Sequence, residues 1–144
     1  MINKQQYAKN KLLEFIQLIK DGAFDEELKN ELEVVYNDWR LPTMQELLTL
    51  VDYTKINPAC DLEDTKLEHY WSSTPCVSSD DSFWDVGFYY GYTGWNPKST
   101  HSYVRCVRDG KDRLEWSATS EKPMTLNQAI KYANNLVAPV YYKR

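Results

Sequence analysis

A proline followed by a helix cap constrains this chain more than any other feature of its sequence. The stretch DWRLPTMQELLTLVDY occupies residues 38–53. Pro42 disfavours helical backbone in the residue before it, so a loop must end at this point. Thr43 and Glu46 have the spacing of a capping box, in which each side chain accepts a hydrogen bond from the other residue's main-chain N–H. The pattern therefore predicts a helix that begins after Thr43, with Trp39 buried over its first turn.

Helical spacing of apolar residues predicts helices at about 4–20 and 25–36, ahead of this motif. Behind it, runs of β-prone residues, two of which alternate between apolar and polar, predict short strands. These strands lie at 70–74, 83–90, 102–108 and 114–118, and the glycine-containing stretch 91–100 is interpreted as turns. A second capping box, Thr125 with Gln128, predicts a final helix through about Leu136. Its buried side is expected to contain Ala129, Ile130, Ala133 and Leu136.

These elements predict a single compact α+β domain, with an N-terminal helical pair, a short antiparallel sheet and a C-terminal helix. A chain of 144 residues is long enough to bury one core. We divide it into a helical N-terminal addition at 1–37, a central core at 38–110, and a strand with the C-terminal helix at 111–144.

The charge of the chain is uneven. Residues 1–37 have net charge −2, residues 38–104 have −6, and residues 105–144 have +4. The acidic middle disfavours direct contact with nucleic acid and suits a basic protein partner.

The first residues lack the uninterrupted apolar region of a signal peptide, and no stretch has membrane-spanning length. We therefore expect a cytoplasmic protein without membrane contact. The cysteines Cys60, Cys76 and Cys106 are odd in number, so reduced thiols are expected. A Cys60–Cys76 bridge is the alternative, and it would imply export.

No residue pattern predicts catalysis, a metal or a cofactor. His69 and His101 are isolated in sequence, and no acid stands at a recognisable spacing from His69, Ser72 and Ser73. The acidic groups at 61–64 and 80–81 lack a calcium-loop signature. Acidic residues interrupt the basic run at 105–113, whose arginines are expected to form ion pairs within the fold.

The strongest functional signal is aromatic. Ten of the twenty aromatic residues fall between 70 and 103. Rigid aromatic side chains among Gly, Ser and Asn are typical of recognition loops. We predict a binding surface formed by Tyr90, Tyr92 and Trp95 with Asn96, rimmed by Asp80 and Asp81.

Several motifs together resemble the Lcl C-terminal domain family, bacterial domains named for the end of a collagen-like adhesin. DWRLPTMQELLTLVDY, INPA, YWSSTP, FWDVGFYYGYTGW and YVRCVRDG follow one another within about residues 38–110. The resemblance implies a C-type lectin-like fold. Trp95-Asn96 is similar to part of the sugar-binding calcium site of true C-type lectins, although Pro97 follows where an acidic ligand would be needed.

The chain departs from the family pattern in one respect. A segment that the family usually has before DWRLPT is similar to LEWSATSEKPMTLNQAIKYANNL, which here lies after YVRCVRDG. Ala133 stands where cysteine is frequent. Either the domain is permuted, or a second copy is cut short.

We expect a non-catalytic binding protein: a small cytoplasmic phage or bacterial inhibitor or adaptor of a basic, nucleic-acid-handling protein. The first alternative is a lectin-like or adhesin module that binds glycans or displays a variable ligand-binding loop. The second is a relative of the formylglycine-generating enzymes, which share the lectin-like fold. Those enzymes need a reactive cysteine pair, and Cys106 has no near partner in sequence.

Overall fold

The computed structural model describes residues 4–22 and 38–144. Three helices lie within them: α1 at Lys4–Lys20, α2 at Met44–Leu48 and α3 at Leu126–Asn135. The prediction of α1 is confirmed, whereas the helix predicted at 25–36 lies outside the described residues. None of the described helices is long and apolar enough to cross a membrane.

The strands form two small antiparallel sheets rather than the one sheet expected. The first sheet has the order β1–β2–β3 and the second the order β4–β5–β6. Their bounds are His69–Pro75 for β1, Ser82–Gly87 for β2, Tyr92–Pro97 for β3, Arg105–Asp109 for β4, Leu114–Thr119 for β5 and Tyr142–Lys143 for β6. The α+β class is therefore confirmed, and the C-type lectin-like topology stays an expectation from the family resemblance.

The interpretation of residues 91–100 as turns is correct for Gly91 and 98–100 but wrong for 92–97, because β3 pairs with β2 from Tyr92 to Pro97. Glycine weakens a strand by local propensity, but it also permits close approach of a neighbouring group. A Cβ atom on Gly94 would lie 3.3 Å from Oδ1 of Asp85 on the facing strand. This glycine therefore makes room for the carboxylate opposite.

The capping box predicted for α2 is present. The Glu46 main-chain N–H donates to Thr43 Oγ1 at 3.1 Å, and the Thr43 N–H donates to Glu46 Oε1 at 2.8 Å. Arg40 donates to both carboxylate oxygens of Glu46, at 2.7 and 2.8 Å. The main chain of Arg40 exchanges two hydrogen bonds with Val107 of β4. The motif thus ties the start of α2 to the second sheet.

Two hydrophobic clusters form the core. The first packs α2 against both sheets, and its largest members include Leu47, Tyr70, Phe88 and Trp116. The second packs α3 against the opening motif and the sheets, and includes Trp39, Leu41, Trp71, Leu126, Ala129 and Ala133. Trp39 is buried, as predicted, and its Nε1 donates to the Ala138 carbonyl at 3.2 Å.

The prediction for the buried side of α3 is correct for Ala129 and Ala133 and wrong for Ile130, which is exposed. Leu136, just after the helix, is half-buried. The two alanines let the helix lie close to the core along one narrow face. Ile130 falls beside that face, at the rim of a groove next to Phe83 and Asn134.

The buried arginines of β4 form ion pairs inside the fold, as expected. Arg105 Nη2 lies 2.5 Å from Oδ1 of Asp64, and Arg108 Nε donates to Oε1 of Glu115 at 2.9 Å. All three cysteines are buried free thiols. Burial raises the pKa of the Cys106 thiol to about 12.

Replacing Thr43 with alanine should destabilise the protein, because the Glu46 N–H loses its acceptor. We expect the free energy of unfolding to fall by about 0.5–2 kcal/mol, measured by chemical denaturation. Thr43→Ser keeps the oxygen and should retain most of that stability. Equal losses in the two variants would mean that the methyl group of Thr43, rather than the cap, stabilises the fold.

Replacing Trp39 with alanine should cost about 3–5 kcal/mol of unfolding free energy, because it opens a cavity in the second cluster. It also removes the hydrogen bond to Ala138 and the ring that lies 5.2 Å from the Arg108 guanidinium. The exposed Trp95 is the matched control, and Trp95→Ala should be much less destabilising in the same denaturation experiment. Comparable losses in the two variants would contradict the assignment of Trp39 to the core.

Candidate functional site

A fully buried carboxylate lies at the centre of the first sheet. Asp85 of β2 has no solvent exposure. Its Oδ1 lies 2.8 Å from Nδ1 of His69 on β1, and its Oδ2 accepts a short hydrogen bond from Nδ2 of Asn96 on β3. One side chain therefore links all three strands.

His69 connects the buried Asp85 to the molecular surface through its two ring nitrogens. A carboxylate accepts only, so in the neutral imidazole the Nδ1 proton faces Asp85, and Nε2 is left as an acceptor. The Tyr92 hydroxyl lies 2.9 Å from Nε2, and the two rings meet edge to face with centroids 5.3 Å apart. The hydrogen bond with Asp85 raises the pKa of His69, an effect that partial burial opposes.

The Tyr92 ring packs directly on the main chain of Gly87, which has no side chain to exclude it. Gly87 is the residue paired with Tyr92 across the hairpin. A Cβ atom at this position would lie 2.6 Å from Cζ of Tyr92, closer than side-chain atoms approach. The ring therefore lies against bare backbone on one side and against His69 on another.

Two further tyrosines continue the row at the tip of the hairpin, residues 88–91. Tyr90 lies 6.4 Å from Tyr92 between ring centroids, and Tyr89 meets Tyr90 edge to face at 4.2 Å. All three rings are exposed: Tyr89 by 37%, Tyr90 by 57% and Tyr92 by 43%. Each is nevertheless supported by a neighbouring ring, which restricts its conformations.

The loop after α2 extends this exposed surface. Its main chain is bound to the hairpin tip, because the Asn57 N–H donates to the Tyr89 carbonyl at 3.1 Å. It carries Tyr53 and Ile56, which are 72% and 60% exposed. Tyr53 also lies beside the tip, with Cε1 3.4 Å from the position of a Cβ on Gly91. We call the exposed surface of Tyr53, Ile56, Tyr89, Tyr90 and Tyr92 the tyrosine patch.

The structure brings some of the predicted site residues together and separates the others. Tyr90 and Tyr92 lie in the tyrosine patch, and Asn96 lies beneath the same face of the sheet, bound to Asp85. Trp95 is exposed but points to the opposite face, where its ring packs at 5.2 Å against Trp84.

Asp80 and Asp81 do not rim the patch. They precede β2, so they lie at the end of the hairpin opposite its tip. Asp81 is also ion-paired with Lys98, at 3.4 Å. The acidic residues that do flank the patch are Asp52, next to Tyr53 in the chain, and Glu68, whose charge helps to raise the pKa of His69.

Sequence reasoning missed Tyr53, Ile56, His69 and Asp85 as members of the site. The acid that orients His69 stands sixteen residues further on, in another strand. One signal was present, because aspartate is depleted in strands and Asp85 interrupts a strongly β-prone run. Among the described residues, no three metal-ligating side chains converge.

Because the pKa of His69 is raised in the folded protein, the folded state favours the protonated imidazole. The stability that this contributes should be fully present below the ordinary pKa of 6.5 and lost as the pH rises through the raised value. We therefore expect the difference in unfolding free energy, wild type minus His69→Gln, to decrease as the pH rises over that interval. Denaturation curves at a series of pH values measure this difference.

His101 is the matched control, since it is the other histidine of the chain and is exposed. His101→Gln should keep the pH dependence of the wild type. A wild type whose stability relative to His69→Gln rises with pH would contradict the assigned pairing of His69 with Asp85.

The comparisons with known proteins identify the family. The model of the Lcl C-terminal domain matches residues 20–108, more than half of the 144 residues. The comparison with curated proteins gives no match, and neither does the comparison with solved structures. The matched range begins ahead of the motifs at 38–110 and contains the tyrosine patch together with β1, β2 and β3. The chain therefore belongs to the Lcl C-terminal domain family.

Proposed function

We propose that this chain is a non-catalytic binding protein and that the tyrosine patch contacts a protein partner. The observation that carries this proposal is the exposure of three tyrosine rings that are held in a row from His69 to the hairpin tip. An exposed aromatic ring contributes little to the stability of its own fold. The same ring is a typical anchor of a protein interface.

The arrangement suits binding because the rings lose little freedom when a partner covers them. Association costs free energy for every side chain that becomes immobile. Tyr92 is already held by its hydrogen bond to His69 and by its contact with Gly87. Tyr90 is held between two rings. A patch of this kind meets its partner largely preorganised.

The charge around the patch favours a basic partner. The segment 52–68 carries five acidic and two basic residues. Complementary charge chiefly accelerates association and selects the partner. We propose the role of a small cytoplasmic inhibitor or adaptor, of phage or bacterial origin, that acts on a basic, nucleic-acid-handling protein.

Four hydrogen bonds support a role without catalysis. Both nitrogens of His69 are engaged within the protein, by Asp85 and Tyr92. The Ser72 and Ser73 hydroxyls donate to the carbonyls of Trp84 and Pro42. They are therefore not poised beside the imidazole as nucleophiles would be.

The formylglycine-type alternative is disfavoured by the state of the cysteines. A reactive cysteine needs an accessible thiol of low pKa. Cys106 is buried, with a pKa of about 12. It packs in the second core cluster, as a small apolar side chain does.

Glycan binding is the second candidate, and the same exposed rings favour it, since an aromatic face can stack on the apolar face of a sugar. Glycan binding differs from binding of a basic protein in the effect that the acidic residues beside the patch have on affinity and association rate. An uncharged glycan gains nothing from Asp52 and Glu68, so its affinity should be insensitive to salt. A basic protein should associate more slowly as the salt concentration rises.

The partner can be captured by site-specific photocrosslinking in bacterial cells, with a benzophenone side chain in place of Tyr90. Val77, which is 96% exposed in the turn between β1 and β2, is the matched control position. We expect a protein adduct at residue 90 that is missing at residue 77. In titrations with the purified partner, Tyr90→Ala should weaken binding at least thirtyfold, or about 2 kcal/mol.

Trp95→Ala serves as the control in the same titrations, because its exposed ring lies on the other face of the sheet. It should change the affinity less than twofold. If Trp95→Ala abolishes binding while Tyr90→Ala and Tyr53→Ala do not, the interface lies on the Trp84 face and the proposal is wrong. Saturable binding on a glycan array that Tyr90→Ala removes would establish the glycan alternative.

A further inference from the structure

A second candidate site lies away from the tyrosine patch. A cavity of about 270 Å³ opens between α3, β5 and the chain segment that follows α3. Ser117, Ala118 and Thr119 of β5 form its floor, and Tyr132 and Leu136 form one wall. The volume is just below the range of about 300–1,000 Å³ that is typical of small-molecule pockets.

The second wall, residues 137–141, is fixed at both ends. Near its start, the Ala138 carbonyl accepts the hydrogen bond from Trp39 Nε1 at 3.2 Å. At its end, the Tyr141 N–H donates to the Trp116 carbonyl at 2.8 Å. The cavity is therefore bounded by main chain that is anchored to the core, which makes it a preformed site.

Two carboxylates lie at the cavity, and only one of them is neutralised. Asp64 pairs with the buried Arg105 at 2.5 Å and also accepts from the Thr119 N–H at 2.8 Å. Glu121 is exposed at the mouth of the cavity, and among the described residues its carboxylate has neither an ion-pair nor a hydrogen-bond partner. The cavity thus keeps one net negative charge.

Tyr132 supplies a polar group for the same space. Its ring is half-buried, and within the described part of the chain its hydroxyl makes no hydrogen bond. Burial, with smaller contributions from Cys106 and Glu121, raises the pKa of Tyr132 to about 12. On the opposite side, the ring of Tyr141 lines the cavity.

We propose that this cavity binds a small organic cation, an amine with an apolar body of about one ring. The apolar body would lie between Leu136 and the floor of β5. The ammonium group would face Glu121 and the Tyr132 oxygen, which provide a carboxylate and a hydrogen-bond acceptor. The Tyr141 ring is already engaged, because the Arg105 guanidinium lies 5.7 Å from its centroid. The site shares no residue with the tyrosine patch, so each proposal stands or fails alone.

Three probes of matched shape test the charge preference: 2-phenylethylammonium, 2-phenylethanol and phenylacetate. Each is titrated into the full chain labelled with ¹⁵N, and the amide signals of residues 117–119 and 138 are followed. We expect saturable shifts with the cation, an affinity at least fivefold lower for the alcohol, and the weakest binding for the carboxylate. Equal affinity for phenylacetate and the cation, or shifts that do not saturate, would overturn the proposal.

Glu121→Gln isolates the carboxylate that carries the argument. It should lower the affinity for 2-phenylethylammonium at least fivefold and leave the affinity for 2-phenylethanol unchanged, which also reports that the cavity is intact. Asp112→Asn, an exposed carboxylate in the turn between β4 and β5, is the matched control and should change neither affinity. An unchanged cation affinity in Glu121→Gln would show that the cavity selects by shape alone.

Discussion

The first sheet is organised around the need to satisfy a carboxylate that water cannot reach. An ionised carboxylate without partners is very costly in the protein interior. Asp85 meets this need with a donor from each neighbouring strand, His69 on one side and Asn96 on the other. The same contacts fix the register of the sheet, because a slip of one residue would turn either donor to the opposite face. The position of Tyr92, and with it the tyrosine patch, depends on this arrangement.

The two sheets are joined by isolated main-chain hydrogen bonds rather than by a continuous hydrogen-bond ladder. Tyr103, two residues before β4, donates its N–H to the His69 carbonyl of β1 and accepts from the Trp71 N–H. Arg40, in the segment before α2, pairs with Val107 of β4 through the main chain, and the Pro42 carbonyl of the same segment accepts from the Ser73 N–H of β1. The segment 114–136, whose sequence resembles one that we expect before DWRLPT in the family, is part of this same core. β5 pairs with β4, and α3 packs on Trp39. These contacts make the segment part of the same packed core.

The parts of the fold that sequence predicts well are those that neighbouring residues specify. Two capping boxes predict helix starts, because both partners of each cap lie within one turn of the chain. They are Thr43 with Glu46 and Thr125 with Gln128. The β-prone run that became β1 and the alternating runs that became β2 and β4 are local signals of the same kind. Their pairing is not local, which explains why one sheet was expected and two are found.

The candidate site was only partly predictable for the same reason. The grouping of Trp95 with Tyr90 and Tyr92 followed from the interpretation of 91–100 as turns. In a strand, residues three apart point to opposite faces, so Tyr92 and Trp95 must separate. The partners of Asp85 depend on strand register, since His69 and Asn96 lie sixteen residues before it and eleven after it. No spacing rule within one strand reveals such contacts.

The stability of the domain does not by itself account for this network. Replacing a buried ionic pair with apolar side chains of similar volume often leaves a protein as stable or more stable. A hydrophobic residue in place of Asp85 could fill the space but could not orient His69. Without that orientation, the Tyr92 hydroxyl would lose its acceptor, and the ring would be free to leave Gly87. A buried charge thus serves to hold an exposed aromatic ring in one position. This arrangement is more readily explained by recognition at the surface than by packing of the core, and it supports the proposal that the tyrosine patch contacts a partner.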